Sequence, residues 1–365
     1  CGNSKKYKKG HLNMDKGGID QALVHFTKVE QERVKLRNMG IFINYVNPIH
    51  FKGKKVWALG SKLYTGRNPN ETFHDFVLFI LKETLGFDWI KQQQVLAPEN
   101  QHFIVKCIHE FDLWKIKLIK DSKGEAVVQA PPNGWVKSLI TIAFDIATLR
   151  HASNLPDLIL KRLRIPQEYQ GARYEISVAA VIARLGFTIK WMGEDTSKSH
   201  CEFIATHTET GTEIAVEAKS RHRSGVIHTL GVLNESASSK GDVQRLLNNA
   251  FLKSECGKMP FLVFVDVNAP FKSTENWADI PWIKDILNKA RQESPNTKDN
   301  PSKWNAIYFT NFSFHYQTDK DAAPGQTLQA LASFSIHEIP NKNLYPAIFN
   351  ALQHYGEIPD IDVPE

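Results

Sequence analysis

The sequence predicts a chain in two parts, a mostly helical N-terminal domain followed by an α/β C-terminal domain. Three observations predict it. Up to about residue 165, apolar residues recur mainly at helical spacing. Beyond Ile165-Pro166, helix-like and strand-like segments alternate in the order helix, three strands, helix, strand, helix, strand, which is the pattern of an α/β domain. At 365 residues the chain also exceeds what one core usually serves. The expected divisions are a short opening segment at 1–12, a helical accessory domain at 13–165 and the α/β domain at 166–365.

Composition bounds the rest. Hydrophobic residues at 42% and charged residues at 23% are ordinary for a soluble globular chain. The net charge of +6 tilts toward anionic partners. Cys1, Cys107, Cys201 and Cys256 are scattered rather than arranged as a disulfide framework, so a reducing, cytoplasmic setting is expected. No apolar run approaches the roughly 20 residues that span a bilayer, so no membrane is expected as partner. The chain opens on Cys rather than Met, and it is expected to lack its natural beginning.

Within the first 165 residues, Ile19, Leu23, Phe26 and Val29 predict an amphipathic helix from Gly18 to about Asn38. Phe73, Phe76, Val77, Phe79, Ile80 and Leu85 predict a second from Thr72 to Leu85, ended by Gly86. Gln92–Leu96 and His102–Ile108 extend the helical array. Ile116–Val128, with Asp121, Ser122, Lys123 and Gly124 at its centre, predicts a hairpin. Pro131 to Gly134 breaks the chain before another apolar helix, Trp135–Leu149. His50, His74, His102 and His109 lack metal-ligand spacing and are expected in core or surface positions.

In the second part, Gly171–Gly186 predicts a helix with Tyr174, Val178, Val181, Ile182 and Leu185 on its apolar face. Strands follow at Phe187–Met192 and His200–His207. The central one lies within Thr212–Arg223, where Ile214, Val216 and Ala218 alternate with Ala215, Glu217 and Lys219, as in a strand with one buried face. Asp242–Lys253 reads as a helix, Phe261–Val267 as an apolar strand, Pro281–Arg291 as a helix and Trp304–Thr310 as a strand. The alternation sets Glu217 and Lys219 on one side of their strand, roughly 7 Å apart along it. A carboxylate and an ammonium held that way suit a divalent cation and the water it activates; alone, the pair would equally be a surface pair.

The opening CGNSKKYKKGHL resembles the C-terminal zinc motif first known from the secretion ATPase SecA, C-x-C-x8-C-[HC]. The resemblance implies Cys1 and His11 as zinc ligands, with a further ligand before the chain. Gly10 stands where the third cysteine belongs, so two of the four ligands of a structural Zn²⁺ site are present. A basic tail is the alternative. This region is also where a protein partner is expected.

From Gly171 onward the motifs resemble the PD-(D/E)XK nuclease superfamily, nearest to Mrr-type restriction endonucleases. Gly171, Tyr174, Glu175, Val178, Ala179, Ile182, Gly186 and Phe187 fall on the family's first helix and strand; Glu202 takes the place of its usual Asp; Glu217-Ala218-Lys219 is its E-x-K; Gln244 matches a following Gln. The resemblance implies a restriction-endonuclease-like fold, with a central mixed sheet flanked by helices. It implies a Mg²⁺ (or Mn²⁺) cofactor on Glu202 and Glu217, with Glu175 on a second ion, directly or through water. Lys219 is expected to orient and help deprotonate the attacking water, or to stabilise charge, and Gln244 to position water or contact phosphate. Two departures stand out: Glu202 is one methylene longer than Asp, and Cys201 replaces the usual Pro.

Arg221 and Arg223 leave the central strand and are expected either to grip nucleic-acid phosphates or to form a solvated basic turn. The loop Ser224–Gly241, with His228, is expected to flap over the substrate. Taken together, these features predict a metal-dependent nuclease acting on nucleic acid, DNA first. The alternative is the same fold kept as a catalytically inactive module that binds nucleic acid or protein. An RNA-directed enzyme is a third possibility.

Overall fold

The computed structural model describes residues 27, 30–43, 45, 47–121, 130–152, 155–193, 199–233, 240–271, 283, 284, 288, 296–316, 318 and 320–359. The segment with Cys1 and His11, the first half of the helix expected from Gly18, and most of the one expected at Pro281–Arg291 lie outside these residues.

The N-terminal part is helical as expected, with one addition. Strands β1 (Ile49–Phe51), β2 (Lys54–Leu59) and β3 (Lys62–Arg67) form an antiparallel sheet that the helical periodicity gave no sign of. The β1–β2 turn is Lys52-Gly53, at φ 50° and 71°, the two positive values that tight hairpins require. Trp57 of β2 is fully buried and stacks on Phe76 at 4.8 Å between ring centres. Phe76 belongs to helix α1 (Phe73–Leu85), which opens on a capping box: Thr72 Oγ1 accepts from the Asp75 amide and Asp75 accepts from the Thr72 amide. Helices α2 (Phe87–Gln94), α3 (Phe103–Asp121) and α4 (Gly134–Ala152) follow.

The expected hairpin at Ile116–Val128 is corrected over its described portion. Ile116 to Asp121 continue α3 as helix, and residues 122–128 lie outside the described set. The stretch FDLWKIKLIK holds strong helix formers and no breaker, so an α-helix already running through Phe103–Ile108 propagates across it.

Helix α4 is buried on nearly all sides, which its low polarity predicts. It lies against α1, α3 and α6. A glycine opens it, because a Cβ at Gly134 would come within 2.7 Å of the Thr318 amide nitrogen.

After the short helix α5 (Asp157–Arg164) comes α6 (Tyr169–Arg184) and then a six-stranded mixed sheet. Its strands are β4 (Phe187–Trp191), β5 (Phe203–His207), β6 (Glu213–Ser220), β7 (Phe261–Asp266), β8 (Ala306–Asn311) and β9 (Gln326–Leu331), in spatial as in sequence order. The pairs β4–β5, β5–β6 and β8–β9 are antiparallel, whereas β6–β7 and β7–β8 are parallel. Helix α7 (Lys240–Phe251) follows β6, and α8 (Leu344–Gln353) lies near the end. Strand β9 and α8 extend the expected pattern; their mixed polar sequences carry weak periodicity.

The strand β6 is covered on both faces. Residues 214–218 are all buried, rather than one face alone. Val216 and Ala218 face the core shared with α6, while Ala215 faces the one formed with Val243 and Leu247 of α7. The larger core is continuous from Trp57 and Phe76 through Ile142 to Tyr174, Val216 and Tyr308, so it runs unbroken across residue 165.

A buried polar knot ties this core to the end of the chain. Arg184 Nη2 donates to Asp145 Oδ1 at 2.6 Å, and Tyr355 Oη donates to Oδ2 at 2.7 Å. Asp145 is wholly buried, and burial pushes its carboxyl pKa up against the opposing pull of Arg184. Asp145→Ala would strand the Arg184 guanidinium, and equilibrium urea unfolding should show a loss of about 3–5 kcal/mol. An unchanged midpoint and slope would remove this knot from the account of stability.

Candidate functional site

The site forms where β6 extends beyond the end of β5. Strand alternation puts Glu217 and Lys219 on one side of β6. Glu202 immediately precedes β5, and its amide donates to the Val216 carbonyl at 3.1 Å, which anchors it beside β6. The lead-in is fixed by Glu255, which accepts from the Cys201 amide at 2.8 Å and lies 2.6 Å from His200 Nδ1. Glu175 comes from the second turn of α6.

Lys219 joins the carboxylates. Its Nζ donates to Glu202 Oε1 at 2.9 Å and lies 2.7 Å from Glu217 Oε1. The second approach is close but off the hydrogen-bonding direction, so both Glu217 oxygens lack a directed donor although the carboxylate is fully buried. Lys253 Nζ adds a second cation at 3.4 Å from Glu217 and donates to the His200 carbonyl at 2.8 Å. Glu175 is gripped by Arg162 through two parallel bonds of 2.7 Å each. The cluster is therefore three carboxylates against three cations. Glu217 lies at its floor, and Lys219 and Glu202 form a partly exposed rim.

This crowding shifts the acids. Burial raises Glu217 to about 7, with Glu202 adding to the rise and Lys219 and Lys253 opposing it. Burial likewise raises Glu175 to about 7, with Glu202 adding and Arg162 opposing. Lys219 moves upward, because Glu202 and Glu217 outweigh its own burial. It stays an ammonium at neutral pH, which leaves it to orient and stabilise charge rather than to take a proton.

The other expected residues divide. Gln244 sits on α7 and donates to Asn248 Oδ1 one turn on, at 3.0 Å. Arg221 is buried rather than presented to solvent, with Nε donating to Asp242 at 2.9 Å and Nη1 to the Asn268 carbonyl at 3.3 Å. Arg223 is also buried, so the turn after β6 is not the solvated basic surface its spelling suggested. In the following loop, His228 Nε2 accepts from the Phe103 amide at 2.9 Å, which fastens the expected flap to the start of α3.

The sequence gave no signal for Arg162 or Lys253, whose roles depend on packing between distant elements. Arg173 was equally hidden, as a charged residue inside an apolar helix. It is fully buried on the far side of the sheet, and its Nη2 donates to Asp266 at 3.2 Å and to Tyr316 Oη at 2.9 Å.

The donor set was tested against the implied cations. Among the described residues no three His, Cys, Asp or Glu side chains converge on one point. Glu202 and Glu217 supply two hard oxygen ligands, and the undirected Glu217 oxygens suit one Mg²⁺ or Mn²⁺ that keeps several waters. Glu175 does not suit a second ion in this arrangement, because the Arg162 guanidinium already occupies both of its oxygens. The zinc ligands Cys1 and His11 lie outside the described residues.

A buried acid with a raised pKa favours the folded state while protonated. Its contribution is fully present below the unfolded value near 4.5 and is lost as pH rises through about 7. Glu217→Gln should therefore raise the melting temperature of the metal-free protein at pH 8 and leave it little changed at pH 5, as read by differential scanning calorimetry. An equal effect at both pH values would show that Glu217 ionisation does not load the fold. No family model matches this chain, and no curated protein or solved structure matches it either.

Proposed function

We propose that the chain is a Mg²⁺- or Mn²⁺-dependent nuclease that hydrolyses phosphodiester bonds, DNA first, on a restriction-endonuclease-like C-terminal domain. The observation that carries this reading is the meeting of Glu202, Glu217 and Lys219 on one ammonium, within 2.9 Å, with Glu175 beside them. Separate elements supply these side chains, and their order along the chain follows the spelling that first suggested the chemistry.

Glu202 and Glu217 would hold the cation, which supplies Lewis-acid neutralisation of the phosphate. Lys219, on the exposed rim, hydrogen-bonds the attacking water or a non-bridging phosphate oxygen and stabilises the charge that develops there. Glu175, with its pKa lifted to about 7, is tuned to accept the water's proton near neutral pH, and Arg162 holds it in place. The rim is open enough for a backbone phosphate, and the buried floor keeps bulk water from Glu217.

The test is cleavage of plasmid, linear and single-stranded DNA and of RNA in Mg²⁺ or Mn²⁺. Glu217→Ala and Lys219→Ala should each lower the rate by at least about 100-fold, the scale of losing charge stabilisation in the transition state. Undiminished activity in both variants would sink the site.

A second reading is favoured by one feature, the Arg162 clamp that takes Glu175 away from any ion. On that reading the fold is a catalytically inactive module that binds nucleic acid or protein. Calorimetric titration with Mn²⁺ separates the two. Binding lost in Glu202→Ala supports the enzyme; no binding, together with no cleavage of any substrate, supports the module.

A further inference from the structure

The sheet β1–β3 has two unlike faces. Its inner face carries Trp57, Leu59 and Tyr64 and packs on α1. Its outer face is open. Strand pairing puts Ile49 beside Val56, Phe51 beside Lys54, and Leu63 beside Ala58, all on that outer side. Ile49 is 59% exposed, Phe51 59% and Leu63 65%. Three large apolar side chains thus stand in solvent on one small sheet, which monomeric surfaces usually avoid in a contiguous patch.

Charge marks the same region. Residues 33–70 hold eight of the 45 Lys and Arg and none of the 39 Asp and Glu, so the rest of the chain is slightly acidic. Several of these cations are already engaged: Lys62 pairs with Glu83, Arg67 with Glu71, and Lys55 is buried. Lys52 and Lys54 are exposed at the hairpin tip, with Lys52 Nζ 5.2 Å from the centre of the Phe51 ring.

We propose that the outer face of β1–β3 binds single-stranded nucleic acid, with base faces against Phe51, Ile49 and Leu63 and phosphates on Lys52 and Lys54. An open sheet with an exposed aromatic, apolar neighbours and cations at its margin matches what a strand of unpaired bases offers: flat apolar faces joined by anionic links. A duplex hides its base faces and would leave the apolar side chains in water. The absence of any acid from residues 33–70 likewise removes the repulsion that would hold a phosphate chain away. This inference stands on the sheet and its charge, independent of the chemistry proposed for Glu217 and Lys219.

The test is fluorescence anisotropy of a labelled oligothymidylate with the full chain in EDTA, where metal-dependent cleavage is silent. The double variant Lys52→Glu, Lys54→Glu should weaken binding by roughly tenfold or more and reduce the salt slope by about 1.4, the share of two phosphate contacts on a single strand. Phe51→Ala should weaken it by roughly fivefold or more through lost stacking. All three changes are at exposed positions, and unchanged melting temperatures would show that the fold is kept. Wild-type affinity in both variants overturns the proposal, as does preference for a duplex over the single strand. A chain that binds in this way and cleaves nothing keeps this surface while removing the nuclease; one that cleaves but binds equally in all variants does the reverse.

Discussion

A carboxylate sealed in protein stays charged only if cations meet it there, and Glu217 imposes that demand on everything around it. The side chain is fully buried on a strand covered by both cores. Leaving such a charge unmatched would cost several kcal/mol, so Lys219 and Lys253 approach it from two elements and Glu202 is drawn in by the same ammonium. Arg162 extends the balance outward by taking Glu175. Acids and bases alternate through space, and each depends on the one before it. The register of β5 on β6 is what makes the first link, since the Glu202 amide bonds to Val216 only in that alignment.

Much of this was legible in the residues. The period of two in Ile214–Lys219 placed Glu217 and Lys219 on one side, and the helical spacing of Tyr174 to Leu185 located α6. Long, strongly periodic segments declare themselves because one face must be buried whatever the tertiary detail. What failed were features decided between elements. Periodicity cannot say that a second layer will cover β6, so its outer side was read as surface. Nor can it say that Arg221 will turn inward to Asp242, since an arginine after a strand serves a phosphate or a carboxylate with the same spelling. The segment Ile116–Asp121 was misread because its β-branched residues suggested strand, while the helix already formed upstream extended through them. The β1–β3 sheet was missed because short strands of six residues or fewer carry too few periods to be counted.

The open sheet and the acidic cleft make complementary demands on a polyanion. The cleft holds as many acids as bases and gives little net attraction, as suits a place where an added cation must be welcome. The sheet has cations and no acids and attracts phosphate without one. Segregating the two roles lets binding strength be altered at Lys52 and Lys54 without disturbing the balance around Glu217.

The core that runs unbroken from Trp57 to Tyr308 has an evolutionary corollary. Helix α6 presents Tyr174 and Val178 to the sheet while packing against α4, so neither half keeps a finished surface if the other is deleted. Cassette-style shuffling at residue 165 would expose that seam. Descendants of this architecture should inherit both halves as a unit, with novelty arriving through loops and single side chains rather than by exchange of modules.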